Sequence, residues 1–208
     1  MLRLPPREGT TRLVLVRHLE PEASIDGRAY GTIDVPLSAE ARGQAGLLAE
    51  ALGAVDLTAV YTSPLRRAFE TAAPIAARHG LTPVVHEGLQ EIDFGELEGM
   101  RYEDVERTRP AVFRAWMEDP TGVSFPGGES FAELRTRALA AAQEIRERHH
   151  GSSAALVAHG GVARAILSAS LELPDHALFR LDQPYGAVSV VDWFDGTPVV
   201  RLLAARPF

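Results

Sequence analysis

The sequence predicts an α/β protein: a three-layer α/β/α sandwich around a mostly parallel central sheet. Two unbroken apolar runs, one within Arg12 to Val16 and one over Ala154 to Ala158, have the composition of strands buried on both faces. Helical patterns with start and stop signals separate the strand patterns, as parallel crossovers require. Each run also delivers a histidine, His18 after Arg17 and His159 directly. Reactive groups collect at such carboxyl ends in open α/β sheets.

In chain order, the first strand ends at Arg17-His18 and feeds a loop punctuated by Gly27, Gly31 and Pro36. Ser38 caps a helix of strong formers that runs to Leu52 and stops at Gly53. Leu57 to Tyr61 reads as a second strand. Ser63-Pro64 has the form of an N-cap followed by proline at the first helical position, so a helix is expected from there to about His79, with Pro74 inside it. Pro83 to Val85 reads as a third strand. The segment from Glu87 to Gly128 is the least periodic part of the chain and reads as an excursion over the sheet edge, its 92–130 portion forming part of a pocket wall. Within it Phe113, Trp116 and Met117 stand at near-helical spacing and read as local core.

Ser130-Phe-Ala-Glu133 has capping-box spacing and opens a long alanine-rich helix to about His149. After the second apolar run, a helix is expected over Val162 to Ser170. Val188 to Trp193 and Pro198 to Leu203, joined through Asp195-Gly196, read as a closing β-hairpin. No repeat, low-complexity tract or linker breaks the pattern, and 208 residues suit a single domain over 1–208.

Composition removes whole classes of chemistry. The chain has no cysteine, which excludes disulfides, thiolate metal sites and cysteine nucleophiles. It has no lysine either, so all 21 basic side chains are arginine, and Schiff-base and P-loop lysine chemistry are excluded. A net charge of −7 disfavours a nucleic-acid partner. Met1 to Thr10 lacks the apolar core of a signal peptide, and no apolar run reaches membrane-spanning length. The expectation is a cytoplasmic protein with no membrane partner, and a homodimer stays open.

The two arginines of Ser63-Pro64-Leu65-Arg66-Arg67-Ala68 fall in the first turns of a helix, where the dipole disfavours cations. Either one guanidinium is a phosphate ligand or both are solvated charges; spacing alone leaves this even. Gly160-Gly161 at a helix start lets backbone N–H groups approach an anion. His149-His150 reads as a pair compatible with a helix C-terminus rather than a metal site.

Five blocks then occur in an order that resembles the histidine phosphatase, or phosphoglycerate mutase-like, superfamily. They are Arg17-His18; Ser63-Pro64-Leu65 with Arg67-Ala68 and Thr71-Ala72; Glu91 with Gly95 and Glu98-Gly99; Pro126 to Ser130; and His159-Gly160-Gly161. The resemblance implies a phosphate pocket in which His18 is the nucleophile and Arg17, Arg67 and His159 bind the phosphoryl oxygens. Glu91 would be the general acid and Arg66 a spectator; on their own, the neighbouring acids Glu87, Glu96 and Glu98 read as a solvated loop. The family pattern further implies Gly160 and the loop glycine Gly31 as substrate contacts. Ser24 stands where relatives often carry a phosphate-binding asparagine, and Leu19 stands where they carry glycine.

These residue types suit the chemistry. A neutral imidazole attacking from a ring of arginines avoids the repulsion an anionic nucleophile would meet at a phosphate monoester. His159 is expected to be protonated when phosphate is bound. The resemblance therefore implies a metal-independent phosphatase that needs no cofactor and acts on a small phosphorylated metabolite through a phosphohistidine. The segment from Arg17 to Leu37 is similar to phosphatases of α-ribazole 5′-phosphate. The alternatives are a cofactor-dependent phosphoglycerate mutase, which usually carries a longer insertion, and a noncatalytic phospho-ligand binding protein.

Overall fold

A computed structural model describes residues 9–207. Part of the N-terminal stretch considered above for targeting, residues 1–8, lies outside them. Six strands form one sheet in the order β3-β2-β4-β1-β5-β6. They are β1 (Thr11–Arg17), β2 (Leu57–Thr62), β3 (Val84–Val85), β4 (Ser153–Ala158), β5 (Val188–Phe194) and β6 (Thr197–Ala205). The first four are mutually parallel, and the closing hairpin joins β1 antiparallel through β5. Asp195 and Gly196 at its tip both have positive φ, 46° and 88°, the signature of a type I′ turn.

The alternation of β1 explains the layers. Leu13 and Leu15 point to one face, where they pack with α5 (Phe131–Arg148) and α6 (Gly160–Ser170) through Leu134, Ile145 and Ile166. Val14 and Val16 point to the other, against α1 (Ala39–Leu52) and α2 (Arg66–Arg78) through Leu48, Leu52 and Ile75. Burying both faces is why this strand reads as an unbroken apolar run. Ser38 caps α1 as expected, its hydroxyl accepting from Ala41 N–H at 3.1 Å, and Ser130 and Glu133 complete the capping box of α5.

Three sequence expectations need correction. α2 starts at Arg66 with Leu65 as its N-cap, not at Pro64 after a Ser63 cap; the Ser63 hydroxyl is engaged elsewhere. α6 begins at Gly160 rather than Val162. The segment taken as irregular holds two short helices, α3 (Tyr102–Thr108) and α4 (Pro110–Glu118), with Ala29, Leu97, Val105, Trp116, Val123 and Phe125 as a separate core. Each helix is too short to show a clear period, and Pro110 interrupts the pattern between them. Trp116 is buried there and Phe113 packs against the same core, but Met117 is 53% exposed. Among the described residues, no helix is long and apolar enough to cross a membrane.

Candidate active site

Strand register assembles the site. β1 and β4 run side by side with Arg17 opposite Ala158, so the next residue on each strand, His18 and His159, emerges at the same edge. The His18 backbone N–H donates to the Ala158 carbonyl at 2.9 Å. The two rings are 5.0 Å apart between centroids at 62°, with residue exposures of 2% and 0%. β2 flanks β4 on its other side with Thr62 opposite Val157, which delivers Ser63 to the same edge.

His18 Nδ1 lies 2.6 Å from the Leu19 carbonyl oxygen. A carbonyl only accepts, so the proton sits on Nδ1 and Nε2 presents a lone pair. Burial, then Arg67 and Arg17, hold its pKa well below the usual imidazole value of 6.5, with the Leu19 carbonyl opposing them. Leu19 is buried, its φ is not positive, and its N–H donates to Thr71 Oγ1 at 3.1 Å. The position makes no demand for glycine. His159 Nε2 is 2.8 Å from Ser63 Oγ, while its buried Nδ1 has no partner. Burial, Arg67, His18, Arg17 and Arg137 lower its pKa in the same way, so both rings are neutral here.

The doublet Arg66-Arg67 splits by helix face. Arg66 lies outside and pairs with Glu70 at 3.2 Å. Arg67 is fully buried, and its Nη1 and Nη2 donate to the carbonyls of Ile33 (2.7 Å) and Gly31 (2.6 Å). Burial lowers its pKa from the ordinary arginine value, and Glu91, Tyr30, Asp34 and Glu98 oppose that. Arg17 donates to the Gln183 carbonyl and lies 4.1 Å over the Tyr185 ring. The Nε atoms of Arg17 and Arg67 are buried without protein acceptors. Among the described residues neither guanidinium has a carboxylate within ion-pair distance. Two cations of one sign beside neutral imidazoles make a site for an anion.

Glu91 stands across from them. Its Oε2 accepts from Gly161 N–H at 3.1 Å and its Oε1 from Ile92 N–H at 3.0 Å, which fixes the carboxyl against the start of α6. Glu98, read from sequence as part of a solvated loop, is instead an organiser. It accepts backbone N–H bonds from Gly31 (3.0 Å), Thr32 (2.9 Å) and Phe94 (3.0 Å), tying the loop that holds Arg67 to the segment after Glu91. Glu96 does face outward, paired with Arg109 at 2.9 Å.

Arg17, His18, Arg67 and Glu91 line one cavity of ≈ 200 Å³. Its outer wall includes Phe94, Tyr102, Trp116, Phe125, Leu134 and Phe179. Trp116 serves both the local core and the wall. Arg164 and Tyr30 also line the cavity and carry no clear sequence signal of it; the Tyr30 hydroxyl meets that of Tyr185 at 2.6 Å, and the Tyr185 ring lies 5.4 Å from the His18 ring between centroids. The spacing Gly160 to Arg164, one helical turn, was the available signal for Arg164.

Three expected contacts differ. Ser24 is exposed in the short 3₁₀ turn Ala23–Ile25, and its hydroxyl donates to Glu22 at 3.0 Å, so it is not at the cavity. A serine is too short to reach from that turn. Gly31 acts one layer out, with its N–H on Glu98 and its carbonyl on Arg67. It is Gly161, not Gly160, that lines the cavity; Gly160 instead leaves room beside Arg17 and Arg164. His149 bonds Thr58 (3.2 Å) and Tyr61 (3.1 Å) through its two ring nitrogens, and among the described residues no three His, Asp or Glu side chains form a metal-holding group.

The profile of the histidine phosphatase superfamily (branch 1) matches residues 13–206. Phosphoserine phosphatase 1 of Hydrogenobacter thermophilus is 39% identical over 160 residues, 77% of this chain and 76% of that protein. The solved structure of a mycobacterial glucosyl-3-phosphoglycerate phosphatase superposes with a TM-score of 0.84 at 27% identity, covering 94% of this chain and 99% of that one. The α-ribazole phosphatase of Shigella flexneri gives 0.85 at 27% identity, covering 94% and 96%. With the paired histidines, the two uncompensated arginines and this match along nearly its whole length, the chain belongs to the histidine phosphatase superfamily.

Proposed function

We propose that the protein is a metal-independent phosphomonoesterase in which His18 is transiently phosphorylated. The observation that carries this reading is the His18 ring, with Nδ1 bound to the Leu19 carbonyl, its Nε2 lone pair available, and its charge suppressed by burial. Nε2 attacks phosphorus, the bond from phosphorus to the ester oxygen breaks, and Glu91 in its acid form gives its proton to the departing alcohol. Each Glu91 oxygen accepts a single backbone N–H, which leaves a position free for that proton. Water then gives a proton to Glu91 as its oxygen attacks phosphorus. The P–N bond breaks, and phosphate leaves with His18 again neutral.

Arg17 and Arg67 supply the charge that a dianion and its transition state require. We assign the Ser63 hydroxyl as the donor to His159 Nε2, its oxygen also accepting from Leu65 N–H at 3.3 Å. That assignment puts the His159 proton on Nδ1, the buried donor without a partner, which a phosphoryl oxygen would satisfy. Relatives named for phosphoserine, glucosyl-3-phosphoglycerate and α-ribazole phosphate support phosphoester hydrolysis without agreeing on the alcohol.

The test is hydrolysis of p-nitrophenyl phosphate in excess EDTA, with trapping of acid-labile phosphate on the protein. Wild type turns over and becomes labelled, and His18→Ala does neither. Activity retained by His18→Ala, or lost on chelation and restored by zinc or magnesium, would overturn the reading. Mainly free phosphate from 3-phosphoglycerate with its bisphosphate primer separates it from a mutase.

A further inference from the structure

Arg164 lies one helical turn beyond Gly160 on α6, and three contacts aim it. Its Nε donates to the Leu181 carbonyl at 2.9 Å, and its guanidinium sits 5.2 Å from the Phe179 ring centroid. A Cβ on residue 160 would lie 3.0 Å from Arg164 Nη1 and 3.6 Å from Arg17 Cζ. The absent side chain of Gly160 is therefore the gap into which this fork fits. Pinned in this way, Arg164 lines the cavity, and among the described residues no carboxylate pairs with it.

The charges of the cavity do not balance on a phosphoryl group alone. The lining carries three guanidiniums, Arg17, Arg67 and Arg164, against the single carboxyl of Glu91. Before phosphate binds, His18 and His159 add no charge, and protonation of His159 on binding would only add to the positive side. When Glu91 holds the proton destined for the leaving oxygen, a phosphoryl dianion matches two of the three cations, and one positive charge is left over. A cation held in a half-buried, largely aromatic wall favours a substrate that brings one more negative charge. Arg17, Glu91 and Asp182 all act electrostatically on Arg164, but Asp182 is exposed to solvent and does not line the cavity, so it offsets the guanidinium only weakly. Because Glu91 serves the leaving oxygen, the extra anion belongs on the alcohol part of the ester, close to that oxygen.

We infer that Arg164 is a specificity-determining residue which pairs with a carboxylate on the leaving alcohol, so that the site takes phosphate monoesters of small hydroxy acids. This rests on the phosphomonoesterase reading. A planar carboxylate accepts two parallel N–H bonds from the guanidinium fork, and a neutral hydroxymethyl in its place leaves the half-buried cation unpaired.

The experiment compares initial phosphate release from 3-phosphoglycerate and from glycerol 1-phosphate, which differ by a carboxylate against a hydroxymethyl. Wild type is expected to favour the carboxylate by about tenfold or more in kcat/KM, the scale of one charge-assisted pair. Arg164→Gln is expected to erase that preference, chiefly through KM, and Arg164→Lys to restore part of it. Equal kcat/KM for the two esters in wild type overturns the inference without relying on any variant. So does an Arg164→Gln variant that slows both esters equally, which would assign Arg164 to the phosphoryl group. Wild type that hydrolyses neither ester nor p-nitrophenyl phosphate overturns the phosphomonoesterase reading itself.

Discussion

Arg137 grips the Glu129 carboxylate with two hydrogen bonds, Nε to Oε1 at 2.6 Å and Nη2 to Oε2 at 2.7 Å. Its Nη1 and Nη2 also donate to the carbonyls of Gln90 (2.5 Å) and Glu91 (3.0 Å). The pair therefore fixes the main chain that carries Glu91 without touching the cavity. Arg137→Gln should misplace the general acid and lower kcat about tenfold to hundredfold for alkyl phosphates, with little change in KM. The loss should be much smaller for p-nitrophenyl phosphate, whose leaving group needs little protonation. Equal losses on both substrates would leave Arg137 a purely structural role.

The suppressed charges of His18 and His159 make stability depend on pH. Both pKa values are lowered in the folded state, so below pH 6.5 the unfolded chain takes up protons that the folded chain does not. Stability is complete above about pH 6.5 and falls as the pH drops from there toward the folded values. Each ring contributes a slope of about 1.4 kcal/mol per pH unit within that window. Urea unfolding at pH 7.5 and 5.5 measures this, and His18→Gln should remove one ring's share. A His18→Gln protein with the same acid loss as wild type would contradict the assignment. In activity, the acid limb of kcat/KM due to His18 should lie below pH 6.5 once the substrate's own ionisation is corrected.

The reacting end of the sheet was legible because its signals are short and local. An apolar run ending in Arg-His and another ending in His-Gly-Gly state both the strand and what it delivers. Parallel pairing then needs only the register of Arg17 with Ala158 to bring the rings together. Ser63 was misread because a serine before proline and a helix has the form of a cap, whereas its hydroxyl serves His159. Glu98 was misread because its three backbone partners lie on two loops, Gly31-Thr32 and Phe94, that sequence does not show to be adjacent. Arg164 was missed for a similar reason: its aim depends on Leu181 and Phe179, in and beside the 3₁₀ segment Asp175–Arg180, which carries no strong pattern of its own.

Gly31 links the loop to the buried cation. A Cβ there would fall 1.7 Å from the Ile92 carbonyl oxygen, so any side chain must push apart the loop and the segment next to Glu91. The Gly31 carbonyl is also one of the two oxygens holding Arg67. Gly31→Ala should cost about 1–3 kcal/mol of stability. It should also weaken inorganic phosphate as a competitive inhibitor, because Arg67 loses its fixed position. Calorimetric melting and inhibition constants read the two effects, and an unchanged inhibition constant would show that Arg67 is held without Gly31.

At the other end of β1, Arg12 and Asp192 form a bidentate pair, Nε to Oδ1 at 2.6 Å and Nη2 to Oδ2 at 2.8 Å, with exposures of 2% and 0%. They are directly opposed on β1 and β5, so the pair records the register of the antiparallel join. Arg201 Nε stands 3.9 Å from the same carboxylate. Asp192→Asn removes a charge that compensates the buried Arg12 guanidinium and should destabilise the fold by about 3–5 kcal/mol. Replacing both partners, Arg12→Leu with Asp192→Leu, removes the desolvated charges together and should cost far less than the single change. The pair lies about 20 Å along the strand from His18, at the ordinary rise per residue, so kcat of the folded double variant should match wild type. Urea unfolding of the single and double variants decides the matter. A double variant at least as destabilised as Asp192→Asn would mean that the pair contributes more through mutual attraction than its burial costs.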